Sequence, residues 1–103
     1  MSAHRVARLS ELADETAVRV DVAGTPVCLA RTQGQVLAVN DVCSHADVSL
    51  SEGDVEDGTV ECWLHGSRFD LRTGQPTGLP ATKPVATYPV TIEGDDVYVA
   101  VED

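Results

Sequence analysis

The sequence predicts a small all-β domain, and three observations carry the prediction. Apolar residues make up 43% of the chain, but they are chiefly Val, Leu and Ala, with one Phe, one Trp and two Tyr, a composition that favours strands over an aromatic-filled core. Short runs alternate apolar and polar residues with the period of two that a half-buried strand requires. Turn residues separate these runs at short intervals, giving about eight strands and almost no helix. At 103 residues the chain suits one domain, residues 1–103, with a modest core and no room for a separate substrate domain.

Taken in order, His4 to Leu9 alternates, and Ser10-Glu11-Leu12 reads as a turn or one helical turn. Thr16 to Val22 alternates more clearly, with Ala17, Arg19 and Asp21 on one face and Val18, Val20 and Val22 on the other, until Gly24-Thr25 ends it. Pro26 to Arg31 is the return strand. Thr32-Gln33-Gly34 turns the chain again into Gln35 to Asn40, which completes a three-stranded meander. From Asp41 to Gly58 no period survives, as in a loop whose role is not packing. Thr59-Val60-Glu61 and Ser67 to Leu71 are short strands that would pair as a hairpin. Pro76, Gly78, Pro80 and Pro84 make Gln75 to Pro84 a connecting loop. Val85 to Glu93 and Asp96 to Val101 predict a terminal hairpin turning at Gly94-Asp95, with Pro89 confining its strand to an edge or bulge.

Seventeen acidic against seven basic residues give a net charge of −10. That charge repels phosphate backbones and anionic lipid head groups, which argues against nucleic acid and membrane partners. Between Arg31 and Arg68 there is no Lys or Arg, while Asp41, Asp47, Glu52, Asp54, Glu56, Asp57 and Glu61 all fall there. Arg5 and Arg8 are followed by Ser10, Glu11, Asp14 and Glu15 rather than by the apolar run of a signal peptide. No stretch approaches the roughly twenty apolar residues of a membrane span. The expectation is a soluble, cytoplasmic protein.

The chemistry is concentrated in Cys43-Ser44-His45 and, sixteen residues later, Cys62-Trp63-Leu64-His65. Two Cys and two His suit a zinc ion or an iron–sulfur centre. Zinc sites usually place Cys-x-x-Cys before the His pair, an order this chain lacks. A Cys43 to Cys62 disulfide is the third reading, opposed by the odd count of three Cys and by the expected compartment. Cys28, between Val27 and Leu29, reads as a buried thiol behaving as a small hydrophobe. His4 reads as a surface residue near the terminus, and Trp63 as either an electron-path residue or a side chain packed beside its loop.

The order Cys-x-His, sixteen residues, Cys-x-x-His, continued by Gly66-Ser67-Arg68-Phe69, resembles the Rieske-type [2Fe-2S] proteins. The resemblance implies a small antiparallel β sandwich or barrel with two cluster-binding loops at one end, in the region of about 41–82. It implies one [2Fe-2S] cluster, with Cys43 and Cys62 on one iron and His45 and His65 on the other, their outer ring nitrogens facing solvent. Gly78-Leu79-Pro80-Ala81 resembles the proline loop that covers the cluster in this family. Ser67, Trp63, Phe69 and Pro80 are accordingly the residues expected around the ligands.

Exchanging two thiolates for neutral imidazoles eases reduction, and such centres span about −150 to +300 mV against about −400 mV for plant-type ferredoxins. A low value within that range is expected here. Respiratory members resemble the motif but carry a disulfide whose two positions correspond to Val48 and Leu64. Phe69 stands where high-potential members have a Tyr hydroxyl bonded to a ligand sulfur, although Ser67 is retained. The carboxylates between Asp41 and Glu61 disfavour an added electron, within the limits of screening.

The resemblance further implies a one-electron carrier that is not itself an enzyme. It would be the ferredoxin component of a bacterial ring-hydroxylating oxygenase system, receiving electrons from a flavin-dependent reductase and passing them to a terminal oxygenase through the His45/His65 edge. An oxygenase would need two further His and a carboxylate for a mononuclear iron, and only His4 remains. No Gly-x-Gly-x-x-Gly follows a strand, so there is no basis for holding flavin or nicotinamide. The alternatives are a small non-catalytic subunit of a larger redox enzyme, such as an assimilatory nitrite reductase, or a ferredoxin serving iron–sulfur assembly.

Overall fold

Alternation along the central strands gives one sheet two apolar faces, and the architecture follows from covering both. The computed structural model describes residues 2–43, 48–63, 66–77 and 83–101. β1 (Ser2–Arg8) leads through a 3-10 turn, η1 (Leu9–Glu11), into β2 (Thr16–Val22), β3 (Thr25–Thr32) and β4 (Gln35–Asn40). A second 3-10 turn, η2 (Leu50–Glu52), precedes β5 (Val55–Glu56), β6 (Thr59–Glu61) and β7 (Arg68–Asp70). Then come β8 (Thr87–Tyr88), β9 (Val90–Glu93) and β10 (Asp96–Val101).

These strands make three antiparallel sheets, in the orders β1-β10-β9, β2-β3-β4-β8 and β5-β6-β7. The predicted meander is present, and its turns at Ala23-Gly24 and Gln33-Gly34 hold both residues at positive φ. Two-residue turns of that kind match the twist of the strands they join, and glycine adopts their second position without strain.

In β3, Val27, Cys28, Leu29 and Ala30 are all 0% exposed, so this strand is covered on both faces. Val27 and Leu29 join Val36, Ala38, Val97, Val99 and Val101 in a base core under the β1-β10-β9 sheet. Cys28 and Ala30 join Val39, Leu50, Val60, Phe69 and Leu71 in an upper core under the β5-β6-β7 sheet. Because successive strand residues point to opposite faces, one sequence run supplies both cores.

Four expectations need adjustment. The Val18, Val20, Val22 face of β2 is buried only towards its end: Val22 is 2% exposed and Val18 is 39%, while Ala17, from the other face, packs on the upper core. Like β3, this edge strand turns one face to each core, so it has no single inner face, and the base core covers only its Val20 to Val22 end. The strand predicted from Val85 to Glu93 is split at Pro89, with β8 pairing to β4 and β9 to β10. Proline donates no ladder hydrogen bond, so it marks the point where the chain changes sheets. The unpatterned segment Asp41 to Gly58 contains η2 and β5, and β5 pairs Val55 with Val60 and Glu56 with Thr59. Two residues are too few for a period to be seen. His4, expected at the surface, is half-buried, and its Nε2 is enclosed with no hydrogen-bond partner.

Candidate metal centre

Two loops rise from the upper core, and each is closed at its base by the same device. At the first, Val42 and Ser49 form an antiparallel bridge, and the Cys43 N–H donates to the Val48 carbonyl at 3.0 Å. At the second, Glu61 and Arg68 are the last pair of the β6–β7 hairpin, and the Cys62 N–H donates to the Ser67 carbonyl at 2.6 Å. Each cysteine is therefore the first residue beyond the last rung of its ladder. The Gly66 N–H returns to the Cys62 carbonyl at 2.9 Å, which tightens the second loop.

Cys43 is 3% exposed and Cys62 0%, and both belong to the upper core. No disulfide is present among the described residues. Phe69 is fully buried in the same core and offers no hydroxyl there, and Ser67 is likewise buried. Val48 packs against this core. Trp63 is 50% exposed, so half of its ring surface lies outside any packing role. His45, His65, Leu64 and Pro80 lie outside the described residues. Among the described residues no three His, Cys, Asp or Glu side chains converge on one point.

Cys28 is the third cysteine of the upper core, and burial, followed by the charge of Asp41, pushes its thiol up from 9.0 to about 12. It stays a neutral thiol, as its strand position predicts.

The acidic segment is not uniform. Glu52, Asp54, Glu56 and Asp57 are exposed, and Glu61 faces Arg68 at 3.7 Å. Asp41, by contrast, is fully buried. Its N–H donates to the Pro26 carbonyl at 3.0 Å, and its carbonyl accepts from the Leu50 N–H at 2.7 Å. Its Oδ1 accepts from the Ser51 N–H at 2.8 Å. In the sequence Asp41 is one of seven carboxylates between Arg31 and Arg68. The signal that could have separated it is its place, directly after a strand and two residues before a ligand-type cysteine, where Asn40 Oδ1 accepts the Val42 N–H at 2.9 Å.

Away from the cysteines, His4, Arg5, Val6, Val20, Asp21, Val22 and Ala23 line an open cleft of about 410 Å³. It contains no set of metal ligands.

Residues 2–89 match the family described as the Rieske [2Fe-2S] domain. The chain belongs to the Rieske family. It is 40% identical over 102 residues to the ferredoxin component of biphenyl 2,3-dioxygenase from Rhodococcus jostii (strain RHA1), which covers 99% of this chain and 95% of that protein. Its fold superposes on the ferredoxin of carbazole 1,9a-dioxygenase from Nocardioides aromaticivorans IC177 with a TM-score of 0.94 and 38% identity, covering 99% of this chain and 100% of that one. A second match, at TM-score 0.90 and 34% identity over 95% of this chain and 92% of the other, comes from a complex of reduced oxygenase and oxidised ferredoxin in carbazole 1,9a-dioxygenase.

This Rieske protein thus carries one [2Fe-2S] cluster and is an electron-transfer component rather than a catalyst. The residues present fit such a cluster. Two soft sulfur donors, shielded from solvent and unbridged, stand at equivalent rungs of two loops over one core. Among the described residues no helix is long and apolar enough to cross a membrane.

Proposed function

We propose that this protein carries single electrons from a flavin-dependent reductase to the terminal oxygenase of a ring-hydroxylating system. Cys43 and Cys62 hold one iron of the cluster and His45 and His65 the other, and the cluster when bound supplies a one-electron couple. The observation that carries the reading is the matched placement of Cys43 and Cys62 at the closed bases of two loops, in a chain similar along its length to named ferredoxin components.

What the chain's own residues do follows from burial. Cys43 and Cys62 are buried in the same core as Leu50, Val60 and Phe69, so thiolates there are shielded from exchange and oxidation. His45 and His65, two and three residues after Cys43 and Cys62 in the sequence, are the ligands at which we propose the electron enters and leaves. Val42 is 40% exposed and Trp63 50%, and each directly adjoins a ligand cysteine in sequence, so each loop carries one exposed apolar side chain beside its cysteine. The carboxylates of Glu52, Asp54 and Glu56 are exposed further along the same segment. A partner with an apolar centre and a basic rim fits this surface. Buried Phe69 supplies no hydroxyl, and together with the acidic segment it supports a potential at the low end of the Rieske range.

The test is direct. The purified protein should contain two irons and two acid-labile sulfides per chain, a stoichiometry fixed by the cluster type. It should be reduced by a flavin-dependent reductase and reoxidised in single turnovers by an aromatic-ring oxygenase. Zinc in place of iron would refute the ligand assignment. Purification in fixed stoichiometry with a large nitrite-reducing subunit would refute the oxygenase partner.

A further inference from the structure

Asp41 is a carboxylate with 0% exposure whose Oδ2 has no hydrogen-bond partner. Leaving a buried polar oxygen unsatisfied is costly, so its retention calls for a reason beyond packing. The cation facing it is Arg19, whose Nη1 lies 3.8 Å from Oδ2 and whose side chain is 50% exposed. Arg19 also reaches exposed Asp21, with Nη2 at 3.3 Å from Oδ1. An arginine half in water screens the buried charge only in part.

The remaining bonds of Asp41 say what it holds. Its carbonyl and its Oδ1 take the N–H groups of Leu50 and Ser51, the first two residues of η2. Ser49, which precedes η2, makes no capping bond with its own side chain. Asp41 therefore caps η2 from across the first ligand loop, because residues 43–48 lie between the two. At its far end η2 is followed by Gly53, where a Cβ would collide with the Glu61 carbonyl. The Glu61 N–H donates to the Asp54 carbonyl at 2.9 Å, and Glu61 directly precedes Cys62. A continuous path of backbone contacts thus runs from Asp41, through η2 and Gly53, to the strand that delivers the second cysteine.

We propose that Asp41 is a positioning residue for the cluster: by capping η2 it fixes the span between the Cys43 loop and the Cys62 loop, with Arg19 closing over its second oxygen. The inference rests on the ligand assignment above and goes beyond it, since it concerns how the two loops are held at the right separation. A ligand pair must be held closely to its productive geometry by surrounding bonds, and a short 3-10 turn without its own cap supplies little rigidity.

The test compares Asp41→Ala, Asp41→Asn, Arg19→Gln and the double variant Asp41→Asn/Arg19→Gln with the native chain. The readouts are iron and sulfide per chain, the g values of the reduced cluster, the potential at fixed pH, and thermal unfolding. Asp41→Ala should lose most of its iron and sulfide, or keep a cluster with displaced g values. Asp41→Asn keeps the capping oxygen, so it should restore cluster content and g values, while the loss of a buried negative charge shifts its potential upward. Arg19→Gln should keep its cluster and g values and shift the potential downward, in the native and the Asp41→Asn background alike, because the cap does not run through Arg19. Native cluster content and g values in Asp41→Ala would overturn the proposal. Should Asp41→Ala fail to fold, loss of the cluster or displaced g values in Asp41→Asn, which keeps the capping oxygen, would overturn it instead. A native chain without a Rieske spectrum would overturn the ligand assignment, and this inference with it. A native chain with that spectrum and an insensitive Asp41 would overturn this inference alone.

Discussion

The base core and the upper core cover opposite faces of one sheet, yet they are held together differently. Around the base core the ladders are long: β10 shares six residue pairs with β1 and four with β9. Around the upper core β5 and β6 share two pairs and β6 and β7 three. The upper core instead contains all three cysteines, and a buried carboxylate with one oxygen outside any hydrogen bond adjoins it at the foot of the first loop. The base core follows from strand alternation alone. The upper core is a frame of short strands and capped turns around sulfur, so its rigidity depends on what the sulfur binds.

The largest expected effect is the separation of the two regions on loss of the ligands. Cys62→Ser should abolish iron and sulfide binding. Hydrogen exchange should then show η2 and β5 to β7 losing protection while β1, β9 and β10 keep theirs. Equal loss in both regions would break the comparison. Next come matched core truncations. Leu29→Ala and Leu50→Ala should each cost about 2–5 kcal/mol in denaturant unfolding, but only Leu50→Ala, in the upper core, should change the g values of the reduced cluster. A spectroscopic change in Leu29→Ala would show that the sheet transmits strain from one core to the other.

Alkali provides a third contrast. The Cys28 thiol is raised in the folded chain from 9.0 to about 12, so its neutral form is favoured by folding. That stabilisation is fully present below pH 9.0 and is lost as pH rises towards about 12. Unfolding curves should show a fall in stability across that window, and the Cys28 contribution to it should be absent in Cys28→Ala. Phe69→Tyr is a smaller change. It should raise the potential if the new hydroxyl reaches a ligand sulfur, and in a site this buried an unbonded hydroxyl would cost about 1–3 kcal/mol. An unchanged potential would place the para position of the ring away from the cysteines. The smallest effect is expected at the exposed rim, where the combined substitution Glu52→Gln, Asp54→Asn and Glu56→Gln should slow electron transfer to a basic partner a few-fold at low salt and leave it unchanged at high salt. Equal rates at low salt would remove that rim from docking.

Sequence alone placed the strands that repeat a pattern long enough to be read. β2, β3, β4 and β10 have the expected extents to within a residue or so, because a period of two and a Gly-containing turn are local properties. It also singled out Cys43 and Cys62, whose spacing is written in the chain and which the fold brings into one core. Tertiary structure decided the rest. Pro89 as the crossing from one sheet to another, β5 as a two-residue partner for β6, and the exposure of Val18 all depend on which sheet covers which strand end, which no local pattern encodes. Asp41 is the clearest case. Its sequence context is that of one acidic residue among several, and only the packing of β2, β3 and η2 around it removes it from water and makes its two oxygens unequal. Burial is a property of three segments meeting, and so the residue that ties the two loops together could be named only once those segments were in place.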